Sequence, residues 1–224
     1  MSIYWGNKDS DIICIFFHGW TATTFDTFEY LKDSLDENLY WILPETLSKS
    51  NEWFRYGKYT TNNGNDYDSI MINNNLNINN NSEFKKSLNY IDEIVEKIPV
   101  HKSIVMMGTS QGATIAFHYV HSYMCKKNIV GGWFHNMAGF YPEFLETNEK
   151  YVYSVYNDIN MKDGDRHSTF DDDTFNSMQR SLNTFKRHKK RRIFFYNSLN
   201  DYVIPNILKK RMFDKLFQIY DCCV

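Results

Sequence analysis

The sequence has few of the features that mark secreted, membrane-spanning or nucleic-acid-binding proteins. Its four cysteines lack metal-ligand spacing, and Cys222 and Cys223 are adjacent, so the pattern favours neither a disulfide framework nor a metal site. No apolar run reaches the about 18 residues that a transmembrane helix needs, and the first residues lack the blocks of a signal peptide. A net charge of −2 gives no reason to expect a nucleic acid partner. We therefore expect a cytoplasmic protein with reduced cysteines.

The length of 224 residues, with 42% hydrophobic and 17% aromatic residues, suffices for one α/β domain but not for two. We assign residues 1–224 to this single domain. Two stretches interrupt its regular pattern, an asparagine-rich insert near residues 62–82 and a polar insert near residues 145–190. The basic run that ends the second insert is interpreted as a solvated helix end rather than a nucleic-acid patch, because acidic residues lie close by.

The most informative stretch runs from Lys102 to Ala113. Its apolar segment Ile104 to Met107 is typical of a buried parallel strand, and the motif Gly108-x-Ser110-x-Gly112 follows directly. Apolar residues then recur at helical spacing: Ala113, Ala116, Phe117, Val120 and Met124. Strand, tight turn and helix in this order are the context of a nucleophile elbow, whose turn projects a serine hydroxyl above the sheet. We therefore predict that Ser110 is a nucleophile and that Gly108 and Gly112 keep the turn free of side chains.

A second buried strand, starting at Asp11, ends in His18-Gly19-Trp20. In an α/β-hydrolase, a backbone N–H just past such a strand supplies half of the oxyanion hole. We expect the N–H of Trp20 to serve there, and the N–H of Gln111, the residue after the nucleophile, to supply the other half. His18 is interpreted as a residue that braces the loop, because the catalytic histidine comes last in chain order in this fold.

Two loops carry the remaining candidates. Asp201 lies in a turn after the strand Arg192–Tyr196, well downstream of the nucleophile, where the carboxylate of a catalytic triad belongs. Trp53 and Phe54 lie in the loop after the third strand, and loops at the carboxyl ends of parallel strands shape the ligand pocket. They are candidate walls for an apolar substrate, and packing against the core is an equal alternative.

These segments resemble the phospholipase/carboxylesterase family, which includes the acyl-protein thioesterases. The resemblance rests on Phe17-His18-Gly19, Trp53-Phe54, Gly108-Thr109-Ser110-Gln111-Gly112, Gly139-Phe140-Tyr141-Pro142 and Asn200-Asp201-Tyr202-Val203-Ile204-Pro205. It implies an α/β-hydrolase fold, with a mainly parallel sheet flanked by helices. It also implies a Ser-His-Asp triad that cleaves a small acyl ester or an acylated protein without a metal or another cofactor.

The sequence departs from the family in its last part. The family's histidine follows one further strand beyond the acid, but the residues from Tyr202 to Val224 contain no histidine. We therefore expect the last strand and the last helix to be missing, which would leave a sheet edge open to a second copy of the chain. His135, at the end of the strand after the elbow, and His167, in the polar insert, are the candidates for a relocated base. His118 is expected to face outward from the elbow helix.

Two functions are compatible with this pattern. One is a carboxylesterase, lysophospholipase or acyl-protein thioesterase that is weak, since removing a triad member leaves only about 10³–10⁴-fold catalysis over water. The other is a non-catalytic pseudo-hydrolase that binds an acyl ligand or a protein partner. An activated serine is the property that separates them.

Overall fold

Strands and helices alternate along the chain wherever the structure describes it. The computed structural model describes residues 1–55, 81–123, 128–138, 154–158, 172–187 and 192–196. The strands are β1 (Ile3–Gly6), β2 (Ile12–Phe17), β3 (Tyr40–Leu43), β4 (Ser103–Thr109), β5 (Ile129–His135), β6 (Ser154–Asp158) and β7 (Arg192–Tyr196). The helices are α1 (Thr24–Leu31), which runs into a 3₁₀ turn at Lys32–Ser34, then α2 (Asn81–Val95), α3 (Ser110–Tyr123) and α4 (Asp172–Arg187).

All seven described strands join one sheet, in the order β1-β3-β2-β4-β5-β7-β6. β1 runs antiparallel to β3, and every other neighbouring pair is parallel. The inner strands read as continuous apolar runs because both of their faces are covered. The predicted mainly parallel sheet flanked by helices is therefore confirmed, with β4, the strand that leads to Ser110, in the middle.

Successive side chains of the strands enter two separate cores. Ile104 and Met106 of β4 pack on the face that α2 and α3 cover. Val105 and Met107 pack on the opposite face, which α1 and α4 cover. This alternation follows from the period of two along a strand.

The four crossovers whose helices are described share one hand. The chain moves across the sheet in one direction through α2 and α3, which lie on one face, from β3 to β4 and from β4 to β5. It moves in the other direction through α1 and α4, which lie on the other face, from β2 to β3 and from β6 to β7. A reversal of direction combined with a change of face preserves the handedness, as expected for parallel strands.

The polar stretch near residues 145–190 contributes to the domain itself. It holds β6 and α4, and α4 buries Met178, Leu182 and Phe185 in the core it shares with Trp133. These apolar residues recur every three or four positions, which is the helical period. The many polar residues between them hid this signal in the sequence.

The place beside β7 is occupied. The sequence predicts an open edge there, but β6 pairs with β7 in parallel, from Ser154 opposite Arg192 to Asp158 opposite Tyr196. That part of the expectation is wrong, because an earlier segment of the chain fills the position. The described sheet therefore ends at β1 on one side and at β6 on the other.

Helix α3 is buried on all sides, from Gln111 to Ser122. The prediction that His118 faces outward is wrong, because α2 covers the outer face of α3 and places the Phe84 ring edge-on to the imidazole, 5.2 Å away. The Nδ1 of His118 lies 2.8 Å from the carbonyl oxygen of Thr114.

The described residues include no helix that is long and apolar enough to cross a membrane.

Burial of His121 makes the stability of the fold depend on pH. Burial lowers its pKa from 6.5 to about 4. Between these values the unfolded chain binds a proton that the folded chain does not, so the free energy of unfolding falls as the pH falls from 6.5 to 4. We expect His121→Leu to reduce this loss by up to about 3 kcal/mol, measured by urea unfolding at a series of pH values.

His101→Leu, which makes the same replacement at an exposed position, is the matched control. Part of the dependence remains in the His121 variant, because burial also lowers the pKa of His18. An unchanged loss of stability in His121→Leu would contradict the interpretation.

Candidate active site

Ser110 stands at the junction of β4 and α3 in a left-handed backbone conformation. Its φ is +53°, and its side chain is half-buried. A non-glycine residue in this region costs about 1–2 kcal/mol and is uncommon outside turns and functional sites. The turn therefore has the strained geometry that a nucleophile elbow requires.

The two glycines of the motif are explained by close backbone contacts. A Cβ atom on Gly108 would lie 2.8 Å from the nitrogen of Ala113. One on Gly112 would lie 2.3 Å from the carbonyl oxygens of both Phe17 and His18. Real Cβ atoms essentially never come so close to backbone atoms, so both positions require glycine. The second contact also shows that α3 begins directly against the end of β2.

The loop after β2 lies beside the serine. A Cβ atom on Gly19 would stand 3.5 Å from the Cβ of Ser110, and the half-buried Trp20 follows. The expected oxyanion loop and the expected nucleophile are thus neighbours, as the parallel order of β2 and β4 requires.

The carbonyl group of Ser110 is held from two sides. The Thr114 hydroxyl donates to it at 3.3 Å, and the Ala138 backbone N–H donates to it at the same distance. The chain that follows β5 is fixed in turn, because the N–H of Asn136 donates to the carbonyl of Tyr196 at 2.8 Å. The carboxyl ends of β4, β5 and β7 are therefore tied together around Ser110.

His18 braces the loop and is uncharged. Its Nδ1 lies 2.8 Å from the carbonyl oxygen of Gly19, and since a carbonyl only accepts, Nδ1 carries the proton. Burial lowers the pKa of His18, against smaller opposing effects of that hydrogen bond and of the Glu45 carboxylate. Its Nε2 is therefore a buried acceptor, and it has no hydrogen-bond partner among the described residues.

The side chains of Trp53 and Phe54 lie in the core, 2% and 1% exposed. Their backbone atoms bind the side chain of Gln111, which is fully buried. Gln111 Oε1 accepts from the Trp53 N–H and Gln111 Nε2 donates to the Phe54 carbonyl, both at 2.7 Å. The sequence predicts only the backbone N–H of Gln111 as functional. A long polar side chain in the first turn of a buried helix was the signal for this second role, since such groups need partners.

His135 lies at the end of β5, opposite Thr109 in the register of the sheet. Its ring is 1% exposed, lies 5.7 Å from the ring of Trp133 and 5.6 Å from that of Tyr196. Its Nδ1 is 3.1 Å from the Thr109 hydroxyl. The imidazole thus stands one strand away from Ser110 and contacts the residue just before it.

Asp201 and His167 lie outside the described residues. The structure brings together Ser110, Gln111, Gly19-Trp20 and His135 at the carboxyl edge of the sheet. Among the residues it describes, no group of three or more histidine, cysteine, aspartate or glutamate side chains could hold a metal ion.

No protein-family model and no curated protein sequence matches this chain. Among solved structures, it is similar to acyl-protein thioesterase 2 of Zea mays, with 12% identity, a TM-score of 0.53, and 98% of this chain and 99% of that chain covered. It is also similar to YahD, solved with malic acid, with 13% identity, a TM-score of 0.50, and 98% and 100% covered. At these identities the similarity concerns the fold, and it confirms the predicted α/β-hydrolase fold.

The strain at Ser110 is measurable. We expect Ser110→Gly to be more stable than Ser110→Ala by about 1 kcal/mol, because only glycine adopts the positive φ without a steric cost. Both variants lose the hydroxyl, so their difference reports the Cβ atom and the backbone conformation that this atom opposes. Chemical denaturation of the two proteins measures it, and an alanine variant as stable as the glycine variant would contradict a strained elbow.

Proposed function

We propose that this chain is a serine hydrolase-like protein for acyl esters or thioesters, with Ser110 as the nucleophile. The observation that supports it most is the half-exposed Ser110 at φ +53°, on a turn that both motif glycines make sterically possible. A serine held in this way projects its hydroxyl from the edge of the sheet, where an acyl carbonyl can approach it. The similarity in fold to a maize acyl-protein thioesterase supports the substrate class.

The remaining roles follow the resemblance of the sequence to this class. The N–H groups of Trp20 and Gln111 would stabilise the negative charge that develops on the carbonyl oxygen during attack. Gln111 is the second residue of α3, so its N–H lies at the positive end of the helix dipole. Asp201 would orient and stabilise the protonated base.

The base is the weak part of the proposed triad. A serine hydroxyl is a poor nucleophile unless a base takes its proton, and no histidine follows Asp201 in the sequence. His135 is the better candidate of the two, because β5 delivers it beside Thr109. To serve as the base, its ring would have to turn from Thr109 toward Ser110. His167 is the alternative, brought in from the segment between β6 and α4.

These arguments favour slow turnover of a small acyl ester or an acylated protein. Charge stabilisation and binding alone leave a rate about 10³–10⁴-fold above that in water when the base is lost. The alternative is a non-catalytic protein that keeps the site to bind an acyl ligand or a protein partner. The described hydrogen bond of the His135 ring favours this alternative, since it goes to Thr109 and not to Ser110.

A fluorophosphonate probe separates the two functions. We expect it to label the wild-type protein on Ser110. Phosphonylation requires an activated serine and a donor for the oxyanion, and the proposed function supplies both. Ser110→Ala should not be labelled, and peptide mapping should place the adduct on Ser110. Labelling that survives the substitution would refute the assignment of the nucleophile, and an unlabelled wild type would favour the binding protein.

Steady-state kinetics test the weakness of the triad. With a nitrophenyl acetate and an acyl-thioester, we expect a kcat far below the enzyme median of about 10 s⁻¹. If His135 or His167 is the relocated base, its replacement by alanine should abolish the remaining turnover, and added imidazole should restore it. A wild-type kcat near the median would contradict the claim of weak activity.

A further inference from the structure

The side chain of Gln111 connects the elbow to the segment of residues 51–54. Its amide accepts the N–H of Trp53 and donates to the carbonyl of Phe54, both at 2.7 Å. The amide is fully buried, and both of its ends are used. Since a buried amide loses these bonds only at a cost, the segment is held at a fixed distance from the start of α3.

The same segment holds the loop that carries Trp20, on both sides of that residue. The indole N–H of Trp53 donates to the carbonyl of His18 at 2.9 Å. The N–H of Thr21 donates to the carbonyl of Asn51 at 3.1 Å. Two hydrogen bonds from one short segment therefore flank Gly19 and Trp20.

One side of this contact is under backbone strain. Thr21 has φ +67°, a value that a β-branched residue keeps only where its surroundings fix it, while Asn51, at φ +52°, is of a type that tolerates this conformation. Ser87 of α2 strengthens the arrangement by donating to the carbonyl of Trp53 at 2.5 Å. The loop after β2 thus takes its shape from residues 51–54, and these take their position from Gln111.

We propose that the Gln111 side chain is a positioning residue, which sets the Trp20 N–H relative to Ser110 through Trp53. This inference rests on the proposed function, because it concerns the oxyanion hole of that reaction. The two expected donors would then belong to one hydrogen-bonded unit, since Gln111 gives its own N–H and also anchors the loop that gives the other.

The position of a donor matters most in the transition state. An oxyanion hole works when its donors stand about 2.7–3.1 Å from the place where the oxyanion forms. A loop that moves weakens this contact more than it weakens the binding of the uncharged substrate. Loss of the Gln111–Trp53–His18 connection should therefore lower the rate of the chemical step and leave the affinity for the ground state nearly unchanged.

Three variants isolate this connection. Trp53→Phe removes the indole N–H that reaches His18. Gln111→Met keeps the volume of the side chain and removes both amide bonds. Tyr119→Phe is the matched control, because it removes another hydrogen bond of the same helix, a part-buried one from the Tyr119 hydroxyl to Asp92 at 2.6 Å, far along α3 from the loop.

The measurement is the labelling of Ser110 by a fluorophosphonate, separated into the maximal rate and the half-saturating probe concentration. We expect the maximal rate to fall about tenfold or more in Trp53→Phe and in Gln111→Met, with the half-saturating concentration within about twofold. Tyr119→Phe should label at the wild-type rate, although we expect urea unfolding to show it to be destabilised. Folded Trp53 and Gln111 variants that label as fast as Tyr119→Phe would overturn the inference.

The inference remains testable if the proposed function fails. A wild-type protein that the probe does not label refutes the function, and the test then moves to hydrogen exchange at the Trp20 and Thr21 amides. Faster exchange in Trp53→Phe and Gln111→Met, but not in Tyr119→Phe, would support the positioning role. Unchanged exchange at both amides would overturn it.

Discussion

The arrangement of the site depends on one constraint, which is that β4 turns into a fully buried helix through a residue with positive φ. The helix begins directly against the carbonyl groups of Phe17 and His18, so the second position after Ser110 has room for a glycine only. The strain at Ser110 is offset because α3 is buried from Gln111 to Ser122, and that burial stabilises the domain by far more than one strained residue costs. The loop after β2 and the turn after β4 therefore form one rigid surface.

Several buried polar groups of the domain are neutral rather than charged. Burial lowers the pKa of His18 and of His121, and it raises the pKa of the Cys14 thiol. At neutral pH these groups carry no charge. The side chains of His118, Gln111 and Thr114 form hydrogen bonds with backbone groups. Ser110 is the first residue of α3, so the free N–H groups and the positive dipole end of that helix lie beside it, an arrangement that suits the stabilisation of an oxyanion.

The parts that could be predicted are those whose signal is local. β2, β4, β5 and β7 are continuous apolar runs, and the elbow follows from the glycine spacing between an apolar strand and an amphipathic helix. β1 and β6 are edge strands of only four and five residues, so their pairing depends on neighbours far away in the sequence. The orientation of His118 and the amide bonds of Gln111 depend on α2 and on residues 53 and 54, which no helical pattern reveals. The core and the turn at Ser110 were thus predictable, while the contacts that position the loop were not.

The place of β6 bears on how a base can reach Ser110. In the expected arrangement, a last strand lies next to β7 and its loop delivers the catalytic histidine. Here β6 occupies that place, so a later strand would have to pair outside β6, and its loop would start about 4.8 Å farther from β4. β5 lies directly beside β4 and ends at His135. If a base serves Ser110, the order of the strands therefore favours the end of β5 over a loop beyond β6.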